Sequence, residues 1–352
     1  MKNYQDEIAS SFHELCPDFD AETIRTVGAV ATEAYNSSPE DFTNRYLTDA
    51  KALELSTHCA SLRVLDIPSR LTEGADPAAA TIILPQFRHD IDEARERVRL
   101  AWFAAACPDT RIIAVANPDG SENESGHLSS EHRSVMAAGE LGPLLEPLLE
   151  YIAKQDIKVI NCLGFSLGAT EALDLAARAE RYGIAVGNVV AVEATDLRRQ
   201  TLVGLGRSFR ATRGTTEGQL PKHAPAVHNQ AALDKRRAGR KDGKSFGATN
   251  MSIARMLTRG VSACNIARLL ADNPDAHITL AHATGSEHVR PRVIRRLMAR
   301  ATKQHGQLIQ SRLTELTIQG RHQMCSNPEL SAALFIRATG RAAIAGANFQ
   351  VA

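Results

Sequence analysis

Residues 157–179 read IKVINCLGFSLGATEALDLAARA, and this stretch decides the fold. Its first half is apolar and partly β-branched (Ile157, Val159, Ile160, Cys162, Leu163), bounded by polar Gln155 and Asp156. A short apolar run bounded in this way reads as a parallel strand buried on both faces. The second half sets Ala169, Ala172, Leu173, Ala176 and Ala177 at helical spacing, in the residue types with the highest helix propensity. Gly164-Phe165-Ser166-Leu167-Gly168 joins the two halves. In a turn that passes at once from strand to helix, the central residue is strained and its neighbours crowd together, so glycine is required on either side. In that setting the pattern G-x-S-x-G presents the Ser166 hydroxyl at the carboxyl end of the sheet, over a helix N-terminus that favours developing negative charge.

Composition sets the outer bounds. The 352 residues, 43% of them hydrophobic, suffice for one large domain with an insertion or for two moderate ones. A formal net charge of +1 exerts no global pull toward nucleic acid or a membrane. Six cysteines (Cys16, Cys59, Cys107, Cys162, Cys264, Cys325) stand far apart with no C-x-x-C, which points to free thiols in a reducing compartment. The opening residues lack a basic segment followed by an apolar core, and no run approaches the roughly 18 apolar residues of a membrane span. The expectation is a soluble, cytoplasmic protein with no membrane contact.

Outward from the central stretch the chain divides into four parts. Residues 1–58 are acidic and helix-like: Asp20 is placed to cap one helix, and Ser38-Pro39 to start another. They read as a helical N-terminal extension, packed on the main domain or serving as an oligomerisation element. Residues 59–196 form the first part of an α/β core. The strands expected there are RVLDIPSRL, ATIILPQF, TRIIAVA, the run before Ser166, and IAVGNVVAV, separated by helices at 90–106 and 131–155, the latter broken near Gly142-Pro143. Such alternation predicts a mostly parallel sheet covered on both faces. In residues 197–271 the pattern breaks. Arg198, Arg199, Arg207, Arg210 and Arg213 open a run of cations that continues to Lys244, and glycine and proline interrupt it. We read it as a basic insertion capping the site. Residues 272–352 resume the core with strands AHITLAHA and LTELTI and helices at 291–305 and 328–345.

A serine hydroxyl is a weak nucleophile at neutral pH, so it needs a base, and the base needs a carboxylate to orient it. The turns that follow the last two strands offer both: Gly285-Ser286-Glu287-His288 and Gly320-Arg321-His322. Glu287 is the expected acid and His322 the expected base. Asp196, which follows the strand ending at Val192, is the alternative acid. No H-E-x-x-H, no clustered Cys/His spacing, no phosphate-cradling G-x-x-x-x-G-K-[ST] and no G-x-G-x-x-G after a strand is present, so neither a metal nor a nucleotide cofactor is expected.

Four segments together resemble the α/β-hydrolases: the elbow around Ser166, the Asn117-Pro118-Asp119-Gly120 loop after a strand, the turn carrying Glu287, and the turn carrying His322. The resemblance covers the chain from about Arg63 onward, apart from the insertion. It implies an α/β-hydrolase fold with a cap and a triad in the order Ser166, Glu287, His322. It also implies an oxyanion hole built from the N–H of Leu167 and an N–H after an earlier strand. Where such proteins carry His-Gly there, this chain has Pro85-Gln86-Phe87, so that donor is assigned to Phe87, with Gln86 as the alternative.

The function expected is cleavage of a carboxylic ester or thioester through an acyl-enzyme on Ser166, with a small acyl compound as substrate. The same apparatus serves acyltransferases, amidases and peptidases, since fold and triad do not separate them. A rival of another class is a catalytically silent hydrolase fold that binds an acidic partner through its basic insertion. Phe209 and Phe246 are the only aromatics there, too sparse for single-strand stacking, so nucleic acid is not the expected partner. The arginines admit two readings: a solvated surface that balances the acidic N-terminal segment, or an entrance that selects an anionic substrate.

Overall fold

The computed structural model describes residues 2–56, 61–71, 78–86, 91, 93–116, 129–213, 248–322, 324 and 327–340. Among the described residues eight strands form one sheet: β1 (Lys51–Ser56), β2 (Ser61–Ile67), β3 (Ala79–Leu84), β4 (Arg111–Val115), β5 (Val159–Phe165), β6 (Ala185–Val192), β7 (His277–Ala283) and β8 (Leu313–Ile318). Their order across the sheet is β1-β2-β4-β3-β5-β6-β7-β8. β2 runs antiparallel to both of its neighbours, and every pairing from β4 to β8 is parallel. The carboxyl ends of β3 and β5 to β8 therefore share one edge, and that edge carries the residues of interest.

Twelve α-helices are described: α1 (Gln5–Leu15), α2 (Ala21–Tyr35), α3 (Pro39–Leu47), α4 (Ala94–Ala106), α5 (Ser130–Ala138), α6 (Gly142–Lys154), α7 (Leu167–Ala179), α8 (Leu202–Arg213), α9 (Ala248–Leu257), α10 (Val261–Asp272), α11 (Pro291–His305) and α12 (Pro328–Ala338). Two apolar clusters sandwich the sheet. One joins its strands to Leu144, Leu148 and Leu149 of α6, Leu173 of α7 and Ile266 and Leu269 of α10. The other packs Phe12, Val27, Phe42, Trp102, Phe103 and Phe335 from α1 to α4 and α12, so the N-terminal helices complete a layer of the core. Central β4 is buried at every residue, whereas edge strand β1 alternates between exposed and half-buried. A bidentate pair of Arg111 with Asp66, at 3.0 and 2.6 Å, clamps β4 to β2, and the Tyr151 hydroxyl donates to the same carboxylate at 2.5 Å.

Several local expectations hold. Asp20 caps α2 through the N–H of Thr23, and Ser38 caps α3 with Pro39 opening the helix. The long helix before β5 is divided as expected: α5 ends at left-handed Gly139, and α6 begins at Gly142. Two expectations change. Residues 51–56, read as part of a helical extension, form β1 and pair with β2 in a hairpin; KALELS alternates with period two, the mark of an edge strand. At the other end of the insertion, α10 packs on α7 as the crossover from β6 to β7 and buries Ile266 and Leu269 in the core. Residues 214–247, the Asn117–Gly120 loop and the end of the last expected helix lie outside the described residues. Among the described residues no helix is long and apolar enough to cross a membrane.

Candidate active site

Ser166 stands between β5 and α7 with φ 54° and ψ −107°, a conformation rare for a residue with a side chain. The surroundings enforce it. A Cβ on Gly164 would overlap the carbonyl oxygen of Gly168, and one on Gly168 would overlap the carbonyl oxygens of Leu84 and Pro85. The Ser166 N–H donates to the Val192 carbonyl at 2.8 Å, tying the elbow to the end of β6. Beneath it Phe165 is fully buried, with the Arg99 guanidinium 4.6 Å from its ring centroid and paired in turn with Glu96. The hydroxyl is thus held by backbone on both sides.

His322 lies in the turn after β8, and its Nε2 is 3.1 Å from the Ser166 Oγ. Its Nδ1 is 2.7 Å from Oε2 of Glu193. A carboxylate only accepts, so the proton sits on Nδ1 and Nε2 is left to accept from the serine. The histidine turn is fixed at its root: the Gln319 N–H donates to the Leu15 carbonyl at 2.7 Å, and the Gly285 N–H to the Gly320 carbonyl at 2.9 Å. The end of α1 and the turn after β7 thereby brace the turn that carries the imidazole.

Glu193 is the residue that reading the sequence missed. It follows the last residue of β6, is fully buried, and has φ 57°. That left-handed bend turns it out of the strand at the carboxyl edge, where its N–H donates to the Ala281 carbonyl at 2.8 Å. Its Oε1 accepts from the Ala283 N–H at 2.6 Å, and its Oε2 from the Ser286 hydroxyl as well as from His322. Ser286 is itself oriented by the N–H groups of His288 and Val289, at 3.2 and 3.0 Å. The turn after β7, expected to bear the acid, bears instead the hydroxyl that steadies it.

Neither expected acid meets the imidazole. Glu287, one residue past Ser286, accepts from Arg321 Nη1 at 3.4 Å, an ion pair that draws it toward its neighbour in the histidine turn. Asp196 is fully buried three residues beyond Glu193, where it accepts from Thr170 Oγ1 at 2.8 Å and from the N–H of Ser262 at 3.0 Å, as well as from the Ser262 hydroxyl. Burial raises its pKa, and the three donors that oppose this join α7 to the first turn of α10. Its role is to join helices. The sequence does point to the correct strand end, since Asp196 is a candidate acid for its place after β6. It gave no sign of the bend at Glu193, because a glutamate with positive φ has no spelling of its own.

The remaining expected residues are placed as follows. Leu167 is the first residue of α7, so its N–H is among those at the helix start that make no intrahelical bond. Gln86 is buried two residues beyond β3, the strand beside β5, and Phe87 lies outside the described residues. The His288 ring packs on that of His322 with centroids 4.2 Å apart, and burial together with its imidazole neighbour pushes the His288 pKa down to about 3.

A mostly parallel sheet in this strand order, with a serine on a strained elbow after β5, defines the α/β-hydrolase fold, and the chain has that fold. An enol-lactonase from Burkholderia xenovorans LB400 superimposes with a TM-score of 0.54 at 12% identity, over 82% of this chain and 100% of that one. An esterase from Pyrococcus furiosus does so with a TM-score of 0.51, also at 12% identity, over 86% of this chain and 94% of that one. No protein-family model matches the sequence, and no curated protein does.

Proposed function

We infer that the protein is a serine hydrolase that cleaves a carboxylic ester or thioester through an acyl-enzyme on Ser166. One observation carries this reading: the continuous hydrogen-bonded chain from Ser166 Oγ through His322 to Glu193, at 3.1 and 2.7 Å, with both ends locked by backbone. That two proteins of the same fold are named for lactone and ester chemistry accords with it.

In the reaction, His322 Nε2 takes the Ser166 proton as Oγ attacks the carbonyl carbon, and the carbonyl oxygen gains the negative charge. Glu193 holds the imidazole in the required tautomer and stabilises its cationic form. The N–H of Leu167, with that of Phe87 or Gln86, receives the oxyanion. As the tetrahedral intermediate collapses, His322 returns the proton to the leaving alcohol or thiol. A water then repeats the sequence on the acyl-enzyme and releases the acid. Helix α8, at the start of the basic segment, serves as a cap, a reading supported by the contact of its Phe209 with His288. Exposed Arg207 and Arg210 on that helix favour an anionic acyl substrate.

The test is labelling with a fluorophosphonate alongside hydrolysis of p-nitrophenyl esters and acyl thioesters. Covalent capture at Ser166, abolished in Ser166→Ala and accompanied by turnover, is the expected result. Turnover that persists in Ser166→Ala would overturn the mechanism, and a native protein that neither labels nor turns over would favour the silent binding fold.

A further inference from the structure

The chemistry above gives His288 no role, yet its placement is not idle. Its ring lies against that of His322, centroids 4.2 Å apart and planes inclined at 53°, and Phe209 of α8 meets the same ring edge-on at 4.9 Å. The His322 imidazole is gripped in its own plane by hydrogen bonds at Nδ1 and Nε2. Those two bonds set the directions of the two ring nitrogens, and packing against the ring adds to what holds it in place. His288 supplies packing of this kind, its tilted ring centred 4.2 Å from that of His322. His288 is well suited to the task. It is buried, its N–H is anchored on Ser286, and it remains uncharged wherever the site would operate, so it does not repel an imidazolium forming beside it.

We propose that Phe209 and His288 form a strut of aromatic rings that positions His322, so that the seating of α8 governs how well the site works. The kinetic consequence rests on the acyl-enzyme reading; the structural one rests on the ring geometry alone. Helix α8 is seated by buried Leu205, and its first turn is capped by Thr201, whose Oγ1 accepts from the Gly204 N–H at 3.0 Å. A ligand or variant that shifts α8 would therefore act on the base without touching it.

Four variants test this: His288→Ala, His288→Phe, Phe209→Ala and the His288→Ala/Phe209→Ala pair. We expect His288→Ala to lower kcat by about 10- to 100-fold, the scale of a small misplacement of a reacting group, with little change in KM. His288→Phe restores most of the loss, because packing rather than a proton is supplied. Phe209→Ala loses less, and the pair is no worse than His288→Ala alone, as members of one unit behave. In NMR spectra the Nδ1–H of His322 stays sharp in the parent and in His288→Phe and broadens in His288→Ala. Parental kcat and a sharp signal in His288→Ala would overturn the proposal, as would a phenylalanine variant as impaired as the alanine one. Additive losses in the pair would break the link to α8. Should the parent show no Ser166 labelling and no turnover, the hydrolase reading fails by itself, and the His322 signal alone decides whether the strut exists.

Discussion

Glu193 and His322 are separated by 129 positions in the chain, yet a 2.7 Å hydrogen bond joins them, because β6 and the turn after β8 end on the same edge of the sheet. The carboxylate has two further donors, the Ala283 N–H and the Ser286 hydroxyl. It is held in place before any substrate arrives, which is the condition for orienting an imidazole without reorganisation during the reaction.

The pair makes a sharp comparison available. Glu193→Gln keeps the shape but offers Nδ1 a group that can equally donate, so the imidazole loses its enforced tautomer; kcat should fall by about 10²- to 10⁴-fold. Glu287→Gln removes only an ion pair with Arg321 and should leave kcat within about threefold, as a partly exposed pair is worth little. Steady-state kinetics on one activated ester measures both. Reversed magnitudes would return the acid to Glu287.

Removal of Ser166 or His322 should cost about 10³- to 10⁶-fold in kcat, and the double variant no more than the worse single one, because these residues act as a unit. Thermal unfolding of each variant checks that the loss is chemical rather than structural.

Ser286→Ala deletes one donor to Glu193 and the acceptor for two N–H groups. We expect kcat to drop by about tenfold, the scale of a lost support around a reacting group, with KM nearly unchanged. An intact kcat would mean that the Ala283 N–H suffices to hold the carboxylate.

Glu329 of α12 is fully buried, accepts from the Tyr35 hydroxyl, and has its pKa pushed up to about 8 by burial. A carboxyl whose folded pKa lies above its unfolded one binds its proton more tightly in the native state. Its contribution is therefore complete below about pH 4.5 and is lost progressively as pH rises toward 8, by about 1.4 kcal/mol for each unit of the rise. Glu329→Gln should flatten this dependence, and its Tm should exceed the parent's at pH 8.5. Parallel Tm curves for the two proteins across pH 5–9 would show that Glu329 does not titrate in that range.

If Arg207 and Arg210 help to draw in the substrate, raising the salt concentration from about 0.05 to 0.5 M should lower kcat/KM several-fold for an anionic ester and little for a neutral one. An equal response would assign the arginines to solvated surface.

Much of this molecule can be read from its sequence where one local pattern has one physical solution. The glycines flanking Ser166 have no other use at a strand-to-helix crossing, and Asp20 and Ser38 cap the helices they precede. The apolar runs of β3 to β7 and the place of His322 after β8 were legible for the same reason. What escaped was decided by distant partners. Nothing near Glu287 announces that Arg321 will hold it, and nothing near Glu193 announces that β7 will supply the Ala283 N–H its carboxylate needs. β1 escaped because a half-exposed edge strand carries the weakest apolar signal of any strand.

The imidazole turn that follows β8 has a bearing on synthesis. On the acyl-enzyme reading, a nascent chain that has already extruded Ser166 and Glu193 still lacks His322, the base the reaction needs. The pairing of β8 with β7 carries His322 to Ser166, and the end of α1 holds the turn behind it. On that reading, a chain cut short before β8 carries the serine and the carboxylate without the base between them, and so cannot begin the chemistry.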